Sequence, residues 1–451
     1  MHEDRRRPID NVLKGLARAA AAGEWQPRKI EHRWFQALDR KKRLPWGAAL
    51  AEQLVEAYPV VPGFVEILGV LAQSAALVLW IRKRLSRDTL VLKSAGTPVM
   101  LPWLTGFRDW NLPEITAPGQ LADWLQITVG ELDWFADRRS WESRRATPRT
   151  QNYRYRWLIR PGRRPRPLES PKPRLKTIQR RILHEILDRV PVHRAAHGFR
   201  REHSISTYVQ PHVHRDVVWK LDLRDFFCRI RRPRVSAVFR TLGYPEAVVS
   251  FLAGLVTNAA PACMIEEVAE KVSDHDRRLW RWLLMTPHLP QGAPTSPALA
   301  NLIAYRLDAR LAGLAQAARA SYTRYADDLA FSGDREFGRS LPRFQVLALA
   351  IILDEGFAIR ERKSRQMWAS QRQEIAGLVV NESPRVRRDD YDRLKATLHN
   401  CVRFGPGSQN RDGHSDFRTH LAGRIAYIGQ FDPRRGERLR AMFAAIVWPH
   451  E

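Results

Sequence analysis

Arg324-Tyr325-Ala326-Asp327-Asp328-Leu329 is the stretch that decides how this chain folds. The segments on either side of its Ala-Asp-Asp run, Ser321 to Tyr325 and Leu329 to Ser332, are typical of short strands, so the whole predicts a β-hairpin. Two carboxylates at a hairpin tip repel each other unless a cation neutralises them, and Mg²⁺ prefers such oxygen ligands. Taken alone, the pair is equally compatible with an ordinary polar turn.

A third carboxylate follows from a second predicted strand, Val217 to Leu223. Its alternation places four apolar side chains on one face and Lys220 and Asp222 on the other. An Asp at the end of a strand in the same sheet supplies a third metal ligand, and two Mg²⁺ ions about 3.5–4 Å apart can hold both oxygens of a phosphoryl transfer. The three carboxylates therefore predict a polymerase site, the alternative for Asp222 being an exposed residue at a strand end.

Between the two strands lies Leu289-Pro290-Gln291-Gly292-Ala293-Pro294-Thr295-Ser296-Pro297, in which three prolines and a glycine exclude regular structure. Apolar residues at helical spacing from Leu299 to Leu311 then predict a helix. A glycine-containing loop that runs into a helix N-terminus presents free N–H groups to a phosphate or a sugar hydroxyl. A proline-rich connector is the alternative interpretation.

The order of these blocks resembles the palm of reverse transcriptases, and most closely the bacterial retron-type group. Further blocks fit in the same order: Pro171 to Arg180, Ala196 to Phe199, Glu355 to Phe357, and Lys363 with Arg365. The resemblance extends over residues 150–448 and implies an α+β right-hand polymerase. That fold has fingers and a palm whose antiparallel sheet is flanked by helices, a helical thumb, and here an N-terminal helical region. The implied boundaries are 1–125 for the N-terminal region, 126–384 for fingers and palm, and 385–451 for three thumb helices.

The resemblance also assigns roles to individual residues. Asp222, Asp327 and Asp328 would hold two Mg²⁺ ions, and Lys363 would protonate the departing pyrophosphate. Phe227 would exclude the 2′-hydroxyl of the incoming nucleotide. Contacts to the nucleotide or its phosphates would come from the remaining candidates, Lys172, Arg174, Lys176, Gln291 and Gly292.

Two departures from the retron pattern concern recognition of the cognate RNA. The family's Asn-Ala-x-x-His block aligns with Tyr208 to His212 and keeps only the histidine, and Ile375-Ala376-Gly377 replaces Val-Thr-Gly. His193 and His197 stand four residues apart, but without a metalloprotease glutamate they are interpreted as structural.

Three further segments carry predictions of local structure. Tyr153 to Arg160 alternates aromatic and basic residues and, with a turn at Pro161-Gly162, predicts a basic hairpin. Apolar spacing predicts one helix from Leu175 to Val190, and the uncharged run Ile67 to Ile81 predicts a buried helix too short to cross a bilayer.

Composition agrees with a polyanion partner. Seventy-five Lys and Arg residues against 48 acidic ones give a net charge of +27 and a pI near 10.8, which is typical of nucleic-acid binders. The three cysteines form no Cys-x-x-Cys pair, which favours neither a disulfide framework nor a zinc ribbon. A charged N-terminus with no signal peptide leads us to expect a cytoplasmic protein without a membrane partner.

The expected partners are an RNA template or non-coding RNA, the DNA product and dNTPs, with an effector or toxin protein left open. A retron-type enzyme would make an RNA-linked single-stranded DNA and serve in anti-phage defence. Three alternatives stay open: a defence-associated polymerase that uses no retron RNA, a group II intron-type enzyme, and a non-catalytic RNA-binding scaffold.

Overall fold

The structure is a computed structural model that describes residues 6–40, 44–85, 92, 98–144, 147–160, 163–268, 270 and 272–448. Along the chain the helices are α1 (Arg6–Ala21), α2 (Pro27–Ala37), α3 (Gly47–Ala57), α4 (Phe64–Gln73), α5 (Ala75–Leu85), α6 (Pro118–Leu125), α7 (Val129–Ala136), α8 (Pro173–Glu185), α9 (Ile205–Val209), α10 (Phe226–Arg229), α11 (Arg232–Thr241), α12 (Glu246–Val256), α13 (Ala262–Glu266), α14 (Asp274–Leu284), α15 (Ser296–Ile303), α16 (Tyr305–Ala317), α17 (Arg335–Asp354), α18 (Arg388–Phe404), α19 (Phe417–Phe431) and α20 (Pro433–Ala444).

The strands form three antiparallel sheets. They are β1 (Tyr153–Arg160), β2 (Arg163–Pro171), β3 (Val217–Asp222), β4 (Ser321–Tyr325), β5 (Asp328–Gly333), β6 (Arg365–Trp368), β7 (Glu374–Ile375), β8 (Leu378–Val379) and β9 (Arg385–Val386). The sheet orders are β1-β2, β4-β5-β3-β6 and β7-β8-β9. Mixed helices and antiparallel sheets confirm the α+β class.

The chain divides into two compact units. The first unit comprises Met1–Pro191 and Phe227–Ile303, and the second comprises Val192–Phe226 and Ala304–Glu451. These units do not test the domain boundaries expected after residues 125 and 384, which stay predictions.

In the first unit, α1 to α5 bury a core of their own around Leu16, Trp34, Leu54 and Ile67. The basic hairpin is confirmed: β1 pairs with β2 from Tyr153↔Pro171 onward, while the predicted Pro161-Gly162 turn lies outside the described residues. The alternation is also as expected, because Tyr153 and Trp157 are buried whereas Arg154 is exposed.

Three predicted helices are shorter than expected. The run from Ile67 to Ile81 is two helices, because Ser74 ends α4 and its side-chain oxygen accepts a hydrogen bond from the N–H of Leu77 in the first turn of α5. The helix expected to reach Val190 ends at Glu185 and gives way to a 3₁₀ turn at Leu187–Arg189. Helical geometry is likewise interrupted between α15 and α16, at Ala304.

No single helix of the described residues is long and apolar enough to cross a membrane. The pair α4 and α5 passes that test only jointly, and it is bent by 80°.

In the second unit, both faces of the four-stranded sheet are covered. On one face Trp219, Tyr322 and Phe331 stack at 4.8–5.2 Å between ring centroids, and Phe344 of α17 packs on them. On the other face Val218, Ala330 and Met367 join a core that also contains residues of β7 to β9 and α18 to α20. Burial on both faces explains why β3 is almost continuously buried rather than alternating.

Three helices do follow residue 385, as predicted for the C-terminal region. Asp432 caps α20 through its side-chain oxygen, which accepts a hydrogen bond from the N–H of Arg435, and Pro433 occupies the first helical position.

Candidate active site

The predicted carboxylate hairpin is confirmed as β4 and β5, which are joined at Ala326 and Asp327. Asp222 ends β3, and its Cα partner in the neighbouring strand is Asp328. Side chains of directly opposed residues in an antiparallel pair lie about 5 Å apart at Cβ. The sheet therefore brings together Asp222 and Asp328, which are more than a hundred residues apart in the chain.

A backbone hydrogen bond holds Asp327 beside the end of β3. The carbonyl of Asp327 accepts a hydrogen bond from the N–H of Leu223 at 2.8 Å, just past the end of β3. Ala326 has φ 56°, a left-handed conformation that costs an L-residue about 1–2 kcal/mol. The tip is thus held in a strained conformation by the residues that surround it.

Gly198 lies directly against the backbone of the hairpin tip. A Cβ added at Gly198 would lie 2.7 Å from the backbone nitrogen of Ala326, too close for any side chain. The backbone N–H of its neighbour His197 donates a hydrogen bond to the backbone carbonyl of Arg324 at 2.8 Å. The block Ala196 to Phe199 therefore packs against the hairpin tip and supports it. The sequence had indicated this segment only through the family resemblance.

One face of β4 is anchored by a buried ion pair that sequence reasoning missed. The guanidinium of Arg324 donates to both carboxylate oxygens of Asp308 on α16, at 2.8 and 2.7 Å, and both side chains are fully buried. Arg324 also donates to the carbonyl of Ala326 at 3.0 Å, and Tyr322 donates to Asp308 at 2.8 Å. Because Tyr322 and Arg324 are two residues apart on one strand, their shared face was predictable, but their partner was not.

The other face of the hairpin is anchored by His212. Its Nε2 lies 2.7 Å from the hydroxyl of Thr323 on β4, and its Nδ1 lies 2.6 Å from the hydroxyl of Ser332 on β5. Thr323 already donates to the carbonyl of Tyr208, so it accepts from Nε2–H, and Nδ1 accepts from Ser332. Burial lowers the pKa of His212 to about 3, which keeps the imidazole neutral, and the two hydroxyls select its tautomer.

Two cations reach Asp222 from the segment after α17. Nζ of Lys363 lies 2.5 Å from Oδ2 of Asp222, and the guanidinium of Arg360 lies 3.4 Å from Oδ1. The backbone carbonyl of Asp222 accepts from the N–H of Arg360 at 2.8 Å, which extends the sheet edge and positions both cations. Lys363 was predicted from the sequence, whereas Arg360 was not.

Two properties of these carboxylates favour a bound divalent cation. Oδ1 of Asp222 is buried without a hydrogen bond. Burial, and then the charges of Asp327 and Asp222, raise the pKa of Asp328 to about 6. A cluster that disfavours its own negative charge and keeps an oxygen free of hydrogen bonds has the donor set that Mg²⁺ takes in proteins.

The remaining predicted residues lie in the first unit. Lys172 is the residue before α8, and its ammonium donates to the carbonyls of Pro148 and Arg149 at 2.6 and 3.2 Å. Arg174 donates to the carbonyl of Gln126 at 3.2 Å, and Lys176 is exposed on the first turn of α8. Two of these three cations thus contribute to local structure.

The Pro-Gln-Gly loop is held by β2. The backbone N–H of Glu169 donates to the backbone carbonyl of Gln291 at 2.8 Å. The side chain of Gln291 takes no part in this bond and is half-exposed. Gly292 has φ 128°, and a Cβ there would lie 3.1 Å from the carbonyl oxygen of Glu169, so only glycine fits. Phe227, on the first turn of α10, is half-buried, unlike the buried Phe226 before it.

A buried polar network supports this loop. The carboxylate of Glu169 lies 2.8 Å from Nε2 of His288 and accepts from the amide of Asn258 at 2.6 Å. The ligand atoms of Glu169, His288 and Cys228 lie within 4.8 Å of one another, a donor set that could hold a metal. Because the carboxylate and the imidazole already satisfy each other, the network is explained by positioning the loop.

Comparison with known proteins places the chain in a class and then in a group. Residues 160–381 match the family model described as reverse transcriptase (RNA-dependent DNA polymerase). The retron Mx65 reverse transcriptase of Myxococcus xanthus is 35% identical over 359 residues, which cover 79% of this chain and 78% of that protein. The retron Mx162 reverse transcriptase of the same organism is 35% identical over 75% of this chain and 69% of its own length.

A more distant relative is the retron Ec86 reverse transcriptase of Escherichia coli, 29% identical over 67% of this chain and 85% of that protein. The chain therefore belongs to the reverse transcriptases, and within them to the retron-type group. It is an RNA-directed DNA polymerase.

Proposed function

We propose that this protein is a magnesium-dependent polymerase that adds dNTPs to a primer on an RNA template and makes a retron-type, RNA-linked single-stranded DNA in anti-phage defence. The observation that carries the polymerase part is the convergence of Asp222, Asp327 and Asp328 at one end of the four-stranded sheet. The retron product is supported by these relatives, each of which is named a retron reverse transcriptase. The defence role rests on the family resemblance alone.

Asp222, Asp327 and Asp328 are proposed to hold two Mg²⁺ ions. When bound, the ions supply positioning of the primer 3′-hydroxyl and neutralisation of the charge that develops on the triphosphate. The protein itself contributes rigidity, because the hairpin is anchored by Arg324 on one face and by His212 on the other. Side chains fixed in advance need no rearrangement as charge develops.

Lys363 is proposed as the general acid for the leaving pyrophosphate. Its ammonium is held at Oδ2 of Asp222 but is still half-exposed, so it is both positioned and accessible. Arg360, whose side chain is 30% exposed beside Asp222, would neutralise phosphate charge without giving up a proton.

Recognition of the nucleotide is proposed for six residues of the first unit by resemblance: Lys172, Arg174, Lys176, Phe227, Gln291 and Gly292. The half-exposure of Phe227 and Gln291 and the exposure of Gly292 support this, since each leaves a side chain or backbone group accessible. Lys176 is the best supported of the three cations, because Lys172 and Arg174 already bind backbone carbonyls.

The arrangement into fingers and palm (126–384), thumb (385–451) and an N-terminal helical region (1–125) is part of the same proposal. Its partners are the template or non-coding RNA, the DNA product and dNTPs, with an effector or toxin protein left open. We also propose a cytoplasmic location.

The proposal is tested by primer extension on an RNA template with purified protein. DNA synthesis is expected with Mg²⁺ and not with EDTA, and sequencing of co-purifying nucleic acid is expected to give one defined RNA joined to DNA. Absence of synthesis on any template would contradict the polymerase proposal, while synthesis without an RNA-linked product would contradict only its retron part.

That second outcome would favour a defence-associated polymerase without a retron RNA. This alternative is favoured by two blocks of the sequence that differ from the retron pattern. Of the first block only His212 is kept, and the structure accounts for it by hydrogen bonds within the protein. In the second block, Ile375 ends β7, and Ala376 and Gly377 form a two-residue turn to β8, both with positive φ.

Phe227 provides a prediction on nucleotide choice. Replacing Phe227 by Ala removes the ring proposed to exclude a 2′-hydroxyl, so we expect the variant to incorporate ribonucleotides while wild type does not. The measurement is incorporation of rNTPs against dNTPs on one primer. The matched control is Phe226→Leu, a change in the buried neighbour that should leave the selectivity as it is.

A further inference from the structure

Helix α14 carries two tryptophans with opposite environments. Trp280 is 2% exposed and packs on Trp157 of β1 with 4.7 Å between ring centroids, so the fold explains it. Trp282, two residues on, is 57% exposed. Among the described residues, Trp282 is not part of the core that contains Trp157 and Trp280.

Arg231 covers one face of this exposed ring. Its guanidinium carbon lies 4.3 Å from the ring centroid of Trp282. The same guanidinium is fixed by the carbonyls at the end of α14, donating to Leu283 at 2.7 Å and to Trp282 itself at 2.9 Å. The cation and the ring are therefore held together in advance, and a further ring could stack only on the opposite face of the indole.

The surroundings of the open face are basic and apolar. Arg278 lies one turn earlier on the exposed side of α14, and Met285 lies one turn later and is 36% exposed. Arg281 is exposed too, but it pairs with Glu266 at 2.5 Å. We call the surface formed by Arg231, Arg278, Trp282 and Met285 the Trp282 platform.

We propose that the Trp282 platform binds an unpaired base of single-stranded nucleic acid by stacking on the open indole face. The inference rests on the proposed function, because an RNA template supplies the unpaired bases. Every base offers a π-face, so such a platform tolerates any sequence, as copying a template requires.

Two arguments favour this occupant over others. Bases within a duplex are stacked on their neighbours and cannot present a face, which leaves single strands. An apolar protein partner would gain nothing from the exposed Arg278, whereas a nucleic acid brings a phosphate for this cation together with a ring for the indole. The net charge of +27 points to the same partner.

The test measures binding without metal or nucleotide, so that it is independent of catalysis. Fluorescence anisotropy would follow a labelled single-stranded RNA of about 12 nucleotides, and a duplex of the same length, on full-length wild type, Trp282→Ala and Trp282→Phe. Trp141→Ala is the matched control, because Trp141 is 53% exposed in the same unit and lies outside the platform.

Loss of one stacking contact should weaken binding of the single strand by roughly 5- to 100-fold in Trp282→Ala, with the duplex and the Trp141→Ala control nearly unchanged and Trp282→Phe intermediate. Ultraviolet crosslinking of wild type to the single strand should map to α14, a readout that does not depend on how the variants fold. Single-strand binding by Trp282→Ala within twofold of wild type, or crosslinks that all lie elsewhere, would overturn the inference while leaving DNA synthesis by wild type untouched.

Discussion

The two long hairpins of this protein are built alike and stabilised differently. β1 and β2 carry exposed arginines on one face, and aromatic packing holds the other through Trp157 and Trp280. β4 and β5 carry carboxylates at their tip and are anchored on both faces by buried polar groups, Asp308 with Arg324 on one and His212 on the other.

The difference follows from where the charge lies. Exposed arginines are solvated, so the basic hairpin needs only strand alternation and a core beneath it. Burial, and then the charges of the neighbouring carboxylates, raise the pKa of Asp328, so the carboxylates keep their positions only if the surrounding structure fixes them. The acidic hairpin should therefore be sensitive to loss of its supports, and the basic hairpin should not.

The largest effect is expected at the acidic tip. Replacing Asp327 by Asn keeps the shape of the turn and removes a charge proposed to bind metal, so single-nucleotide incorporation should fall on the order of a thousandfold while RNA binding is retained. Asp334→Asn is the control, since Asp334 caps α17 just beyond the same hairpin and asparagine caps as well. An Asp327→Asn variant with a tenth of the wild-type rate would refute the assignment.

The next effect concerns the buried ion pair. Asp308→Asn leaves the guanidinium of Arg324 buried without its counter-charge, which should lower the free energy of unfolding by about 3–5 kcal/mol. The exposed pair Arg240–Glu246 provides the comparison, because Glu246→Gln should cost less than about 1 kcal/mol. Denaturant titrations followed by circular dichroism measure both, and equal losses would contradict the special role of the buried pair.

A smaller effect is expected from pH through His212. Its pKa is lowered to about 3 in the folded protein, so below the ordinary value of about 6.5 only the unfolded chain binds a proton there. This group therefore costs stability as pH falls from 6.5 towards 3, and between pH 7 and 5.5 wild type should lose about 1 kcal/mol more than His212→Gln.

Glutamine suits this experiment because its amide offers one donor to Thr323 and one acceptor to Ser332 without titrating. Unfolding free energies of both proteins at the two pH values are the measurement. Parallel losses in wild type and variant would mean that His212 binds a proton in the folded state.

The smallest effect is expected at the basic hairpin. Arg154→Gln or Arg156→Gln should leave stability within about 0.5 kcal/mol, since both side chains are exposed. If each arginine contacts a phosphate of the RNA, the plot of log binding constant against log salt concentration should become less steep by about 0.7–0.9 per substitution. The double variant should show twice that change. A salt dependence identical to wild type would remove this hairpin from the RNA-binding surface.

Much of the fold could be predicted from short-range pattern. Alternation located β3 and the basic hairpin, and the strand-forming residues that flank the Ala-Asp-Asp turn located β4 and β5. Helical spacing with a cap residue and a first-turn proline located α20. The errors are at helix ends, where Ser74 and Ala304 interrupt spacing that looks continuous. Apolar periodicity reports which face is buried and does not report where the backbone turns.

For the site, the sequence alone determined which residues carry charge and in what order: Asp222, then the Pro-Gln-Gly loop, then Asp327 and Asp328, with Lys363 beyond. Only the tertiary structure decided how they are held, through Asp308 on Arg324, His212 on Thr323 and Ser332, and Lys363 with Arg360 on Asp222. The physical reason is that alternation fixes the direction of a side chain within its own strand. The group it meets comes from an element up to 141 residues away and is settled by packing of the whole unit.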